Sequence, residues 1–194
     1  MEPTPENRPR GDRAPAEGRP DRDPLIVRAH FVLALLDPET SSAVQSLWAR
    51  LARRGISTPL DDGVPPHLSL GGAEGLNPRE LGQSLRGLLP AEGMPLHFSH
   101  LGAFGVGSFL WLGTSSSEQL HQLHRAVHNT LLTSTIEPPD PLYTPHTWVP
   151  HCTIARAVAP AVMPIFWEEV QSFALPRAFS IASLEVVPVE YRRG

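Results

Sequence analysis

The sequence predicts an α+β fold: two pseudo-symmetric lobes of mainly antiparallel sheet, with helices outside and a central cleft. Two observations carry this expectation. Segments of strand character and of helical spacing follow one another as strand, helix, strand, helix, two strands, helix, strand, helix, strand, an order that suits mainly antiparallel sheets. Two of those short strands also share one pattern, 84 positions apart: Pro66-His67-Leu68-Ser69-Leu70 and Pro150-His151-Cys152-Thr153-Ile154. Each reads Pro, His, apolar, hydroxyl, apolar, and similar neighbourhoods imply related lobes.

The elements follow in order. Residues 1–24 are rich in Pro, Arg, Asp, Glu and Gly with almost no apolar content. They cannot bury enough surface to offset ordering, so a disordered tail is expected. Residues 25–194 are read as a single bilobal domain. Leu25 to Leu36 is a β-leaning apolar run, expected as a central strand, and Asp37-Pro38-Glu39-Thr40 turns the chain. Val44, Leu47, Trp48 and Leu51 recur at helical spacing, with Gly55 closing the helix. The loop Asp61 to Pro66 leads into the first His strand. Asn77-Pro78-Arg79-Glu80 reads as an N-cap, a first-turn Pro and an N3 Glu, with Leu81, Leu85, Leu88 and Leu89 as the buried face. Residues 96–104 and 108–113 read as two strands joined by a Gly-containing turn. Ser115 to Ser117 form an N-cap region, and Leu120, Leu123, Val127 and Leu131 mark the helix that follows. A Pro-rich loop, 137–149, precedes the second His strand. A short helix over 161–170 and a closing strand over 179–189 complete the chain, with Pro188 expected on an edge.

Composition narrows the function. The 194 residues carry a net charge of −4, and all 16 basic residues are Arg. That balance gives no strong basic field for a long nucleic acid and suits a small or short anionic substrate. The single Cys152 excludes an intrachain disulfide and a multi-cysteine zinc site. No apolar run reaches the ~18–20 residues of a membrane span. The N-terminus has no apolar signal core, so the cytoplasm is the expected compartment.

The two His strands are the informative chemistry. Successive strand side chains alternate faces, so each His and the hydroxyl two residues later point the same way. Four His-x-Ser/Thr tripeptides occur, at His67, His97, His128 and His151. Only those at His67 and His151 have a preceding Pro and apolar residues on both sides of the hydroxyl. Two imidazoles and two hydroxyls facing one cleft make a site for acid–base chemistry on a phosphate.

At His67-Leu68-Ser69-Leu70 and His151-Cys152-Thr153-Ile154 the chain resembles the 2H phosphoesterase superfamily, which includes the RNA 2′,3′-cyclic phosphodiesterases also called 2′-5′ RNA ligases. The likeness covers residues 25–191 in element order and is specific at the motifs. Arg156 follows His151 by five positions, as in many bacterial members. Ser69 stands where Thr is common, and Gly71-Gly72-Ala73 stand where the well-known bacterial enzymes tend to carry an aromatic residue. The resemblance implies His67 and His151 as the catalytic pair, with Ser69 and Thr153 holding the phosphate. It implies RNA ends or cyclic nucleotides as substrate, a monomer, no cofactor and no metal. The expected reaction is hydrolysis of a 2′,3′-cyclic phosphate, with reversible 2′-5′ ligation as its counterpart.

Four residues are further substrate-binding candidates: Arg156, Tyr143, His146 and Trp148. Arg156 can fork onto phosphate or form a lobe-stabilising ion pair, and on a regular strand it falls on the face opposite His151. Tyr143 and Trp148 can stack on a base or pack in the core, with Trp148 leaning to the core. His121, His124 and His128 share one helix face without the Glu of a zinc-binding His-Glu-x-x-His; a partly exposed helix face is the expected reading. His30, His97 and His100 read as structural, and Cys152 as core. The competing functional class is a non-catalytic binder of nucleotides or RNA ends that retains the fold. A metal-dependent hydrolase built on the helical His stripe lacks carboxylate ligands.

Overall fold

The structure is a computed structural model that describes residues 25–105, 109–115, 117–174 and 177–193. The expected disordered tail, residues 1–24, lies outside the described residues. Among the described residues the elements are β1 (Leu25–Leu36), α1 (Pro38–Arg53), β2 (His67–Glu74), α2 (Pro78–Ser84), β3 (Met94–Phe104), β4 (Phe109–Thr114), α3 (Glu118–Ser134), β5 (His151–Arg156), α4 (Met163–Gln171) and β6 (Ala178–Arg193). The strands form one antiparallel sheet in the order β2-β1-β6-β3-β4-β5. The mixed α+β architecture matches the sequence reading.

A pseudo-twofold runs through this topology. The runs β1-α1-β2-α2-β3 and β4-α3-β5-α4-β6 have the same order, and exchanging one for the other reverses the sheet order onto itself. The register repeats too. Leu35 and Leu33 oppose His67 and Ser69, as Gly113 and Trp111 oppose His151 and Thr153. A β-bulge leaves Leu70 as the extra residue in β2 and Ile154 as the extra residue in β5. A second pair of bulges sits at Ser99 in β3 and Ala182 in β6.

Local chemistry explains the helix starts. Asp37 caps α1 by accepting from the Thr40 N–H at 2.9 Å, and its other oxygen accepts from the Ser180 N–H at 2.8 Å. The expected turn at Asp37–Thr40 is therefore the cap and first turn of α1. Asn77 and Ser117 cap α2 and α3 through the Glu80 and Leu120 N–H groups. α2 is shorter than expected: it ends at Ser84, and Gly87 with φ +79° follows, so Leu88 and Leu89 pack on the core from beyond the helix. Pro188 lies on a strand flanked by β1 and β3, but in the part that pairs with β1 alone.

The helices cross between the halves. α1 packs on β5 and α4, and α3 packs on β2. Glu169 of α4 is buried and paired with Arg50 of α1 and, at 2.8 Å, with Arg54, which caps the end of that helix. A buried carboxylate needs such partners, and removing them leaves an uncompensated charge.

The two inner helices share a core pattern. Val44, Leu47, Trp48 and Leu51 of α1 have the spacing of Leu120, Leu123, His124 and Val127 of α3, and all are buried. His124 therefore occupies a core slot and not the partly exposed face expected from the sequence, whereas His121 and His128 are half-buried. It is 1% exposed and stacks on Trp148 at 3.9 Å with rings 3° from parallel. Burial pushes its imidazole down to about 4, against the opposing hydrogen bond with the Tyr143 backbone.

An unfolded chain takes up this proton near pH 6.5, whereas the folded His124 stays neutral until about 4. Stability is full above that upper pH and falls toward the lower one, by roughly 3 kcal/mol from this residue. Urea denaturation at about pH 7 and about pH 4.5 checks this. A His124→Phe variant, which keeps a ring against Trp148, should lose less stability than wild type over that interval.

Candidate active site

β2 and β5 lie at the two ends of the sheet order, each with one neighbouring strand, and these two end strands touch each other. The contact brings the two motifs together. On β2, Leu68 and Leu70 are buried while His67 and Ser69 are half-buried; on β5, Cys152 and Ile154 are buried while His151 and Thr153 are half-buried. The alternation read from the sequence is the one observed. Cys152 is core, with its thiol pushed up to about 12 by burial, opposed by a hydrogen bond from the His67 backbone.

Each imidazole is anchored in the same way. His67 Nδ1 lies 2.7 Å from the Pro65 carbonyl, and His151 Nδ1 lies 2.7 Å from the Val149 carbonyl. A carbonyl only accepts, so Nδ1 carries the hydrogen and donates in both. Nε2 is left as the titrating nitrogen on each ring.

Burial lowers the His67 pKa, the Pro65 carbonyl opposes the shift, His151 and Arg156 lower it further, and Asp62 raises it. Burial likewise lowers His151, against the Val149 carbonyl. Charge on His151 and Arg156 is thus felt at His67, so the motif pair and Arg156 share one electrostatic neighbourhood.

The bulge at Ile154 decides where Arg156 goes. A regular strand would turn it to the face opposite His151. The extra residue resets the alternation: Ile154 and Ala155 are both buried and Arg156 emerges half-buried. Its guanidinium pairs with Asp62 at 2.5 Å, and its backbone N–H donates to the Ser57 carbonyl at 2.8 Å. Asp62 ends a 3₁₀ turn, Pro59–Asp62, that Thr58 caps and Gly63 closes. The sequence reading passed over Asp62; its only signal there was an acidic pair in the loop before the first motif.

The remaining candidates separate. Tyr143 is half-buried and meets Phe31 edge-on at 5.4 Å, on the side of β1 that faces His67 and Ser69. Trp148 is buried, and its indole N–H donates to the Ser69 carbonyl at 2.8 Å, so it is not an open stacking surface. His146 is exposed in the loop before β5.

His100, read as structural, is exposed and shares the register row of Gly113 and His151. A Cβ on Gly113 would stand 2.2 Å from the His100 ring, and one on Gly102 would stand 2.2 Å from the Trp111 ring. Glycine at these two positions lets both rings lie across the neighbouring strand. Trp111 and Phe104 then flank His151 at 5.7 and 4.8 Å.

The 2′-5′ RNA ligase superfamily model matches residues 32–190, which takes in both motifs, Asp62 and Arg156. The chain belongs to the 2′-5′ RNA ligase superfamily. Its structure is similar to a crystal structure described as a phosphoesterase, with TM-score 0.53 and 16% identity over 88% of this chain and 98% of that one. It is also similar to E. coli LigT complexed with NADP+, with TM-score 0.53 and 14% identity over 88% of this chain and 98% of that one. At these identities the likeness is one of fold. No curated protein sequence matches the chain. Membership of this 2H phosphoesterase superfamily supports an enzyme acting on phosphodiester bonds. No helix among the described residues is long and apolar enough to cross a membrane.

The charges around His67 give a test of the geometry. Asp62→Asn removes the group that raises the His67 pKa, so His67 should titrate at lower pH than in wild type. Arg156→Gln removes a group that lowers it. NMR titration of the imidazole Cε1–H signals reads both.

Proposed function

We propose that this protein opens 2′,3′-cyclic phosphates at the ends of RNA or on nucleotides by two-histidine acid–base catalysis, with 2′-5′ bond formation as the reverse reaction. The observation that carries the reading is the repeated anchor: two half-buried imidazoles, each with Nδ1 donating to the carbonyl two residues earlier, on strands that meet.

The chemistry balances on these two rings. One neutral imidazole takes a proton from water through Nε2 as the water oxygen bonds to phosphorus. The bond from phosphorus to one ribose oxygen breaks, and that oxygen leaves with the proton from the other, charged imidazole. The ring that began neutral ends protonated and its partner ends neutral. Positioned acid–base groups of this kind contribute about 10²–10⁴-fold each. The Ser69 and Thr153 hydroxyls donate to the non-bridging oxygens as charge grows there. Arg156 supplies a charge-assisted fork to the same group. The two rings carry both proton transfers, so the mechanism needs no metal.

Hydrolysis of a 2′,3′-cyclic nucleotide and of a short RNA ending in a cyclic phosphate, run in chelator, tests the proposal. Wild type should turn over, and His67→Ala and His151→Ala should each lose about 10²-fold or more. Loss of turnover with retained nucleotide binding in both variants separates catalysis from a pure binding role. Activity that requires an added divalent metal would contradict the mechanism.

The pH profile follows from the lowered histidines. The active form holds one proton on the pair, and both rings titrate below 6.5 in the free protein. The bell of kcat/KM should therefore peak on the acid side of that value. A bound phosphate favours charged imidazole, so the bell of kcat should sit at higher pH than that of kcat/KM.

A further inference from the structure

The gap between β2 and β5 is met on the helical side by two tryptophans. Trp48 of α1 donates from its indole N–H to the Thr153 carbonyl at 3.1 Å, and Trp148, before β5, donates to the Ser69 carbonyl at 2.8 Å. Both rings belong to the main core, 2% and 7% exposed. The two carbonyls belong to the hydroxyl-bearing residue of each motif, and each is followed by the bulge residue, Ile154 or Leu70. The pattern is crossed. The helix that follows β1 holds the second motif, and the residue three places before His151 holds the first.

The crossing keeps the pseudo-twofold where the sequences differ. The α3 slot equivalent to Trp48 is filled by His124. Its flat ring stacks on Trp148, and Trp148 supplies the indole donor on that side. Each motif thus receives one indole N–H at the same backbone atom by two different routes.

We propose that Trp48 and Trp148 are positioning residues of the two-histidine site, fixing through the Thr153 and Ser69 carbonyls the peptide planes that aim each hydroxyl and its neighbouring imidazole. The inference rests on the reading of His67 and His151 as the reacting pair. The peptide after each hydroxyl residue also starts the bulge, so its tilt sets the strand direction on both sides. β2 and β5 end the sheet order; Ser57 bridges the far end of β5 at Arg156, and at the hydroxyl residue of each motif an indole N–H bonds the carbonyl.

The test replaces one indole at a time by its benzothiophene isostere, which keeps the ring shape and lacks the N–H, with 5-fluorotryptophan as the rescue that keeps it. Each isostere should cut kcat on a cyclic nucleotide roughly tenfold, about the effect of one buried hydrogen bond, with KM within about twofold and melting cooperative. The 5-fluoro proteins should match wild type. NMR titration gives a readout that does not need turnover. The Trp148 isostere should move the His67 titration more than that of His151, and the Trp48 isostere the reverse. Unchanged kcat and unchanged titrations in folded isosteres would overturn the proposal. If wild type itself shows no turnover, the cyclic phosphate reading fails, and the crossed titration pattern still decides the positioning role.

Discussion

The contact between β2 and β5 is the interaction on which the site depends. These strands are the two ends of the sheet order, so no ladder of backbone bonds joins them. What joins them is side-chain chemistry. Cys152 is buried against the His67 backbone, and two indoles reach carbonyls on the opposite halves. The crossing of α1 onto β5 and α3 onto β2 follows from the same need, because each end strand has to be covered by a helix. The buried Glu169 with Arg50 and Arg54 then fixes α1 to α4 on one flank. A disturbance in the helical layer is therefore transmitted to the motif strands through few atoms.

Burial has two opposite consequences at this site. It strips part of the water from the half-buried imidazoles, which strengthens polar contacts to an anion held there. It also disfavours the charged ring that one partner in the reaction needs. The anchoring carbonyls at Pro65 and Val149 work against that penalty by bonding to Nδ1–H. In the proposed reaction the phosphate would complete the compensation, because negative charge at Nε2 favours the protonated ring. The Asp62–Arg156 pair adds a local balance: a cation and an anion held together act in opposite directions on His67.

Much of this was legible in the residues, and what was not has physical reasons. The caps at Asn77 and Ser117 announced their helices, because a side-chain oxygen before an apolar-periodic run has few other uses. The face of His67 and Ser69, and of His151 and Thr153, followed from strand alternation alone. Arg156 did not follow, because a bulge is set by pairing with β4 and leaves no mark in β5 itself. His124 is a different case: it lies four residues after Leu120 and three before Val127, on the apolar stripe, so the spacing pointed to burial and only the polarity of its ring pointed to the surface. The internal repeat was hidden by unequal loops. Leu33 and Trp111 are equivalent at a spacing of 78, Val44 and Leu120 at 76, and His67 and His151 at 84, so no single offset aligns the halves.

The pseudo-twofold delivers two imidazoles of one tautomer, but acid–base catalysis needs them unequal. The motifs themselves cannot supply the difference, since their backbone anchors are the same. The difference lies in the surrounding side chains. His67 sits among charges, with Asp62 and Arg156 in opposition. His151 sits against the rings of Phe104 and Trp111, and Gly102 leaves room for the Trp111 ring to lie on the sheet. On the His67 side the corresponding positions are aliphatic: Leu33 of β1 stands where Trp111 does, and Val187 of β6 where Phe104 does. In the proposed reaction a phosphate engaging Arg156 would alter the balance of charge at His67 and leave the aromatic surroundings of His151 as they were. Two halves with one backbone pattern are in this way made chemically distinct by the residues packed beside each motif.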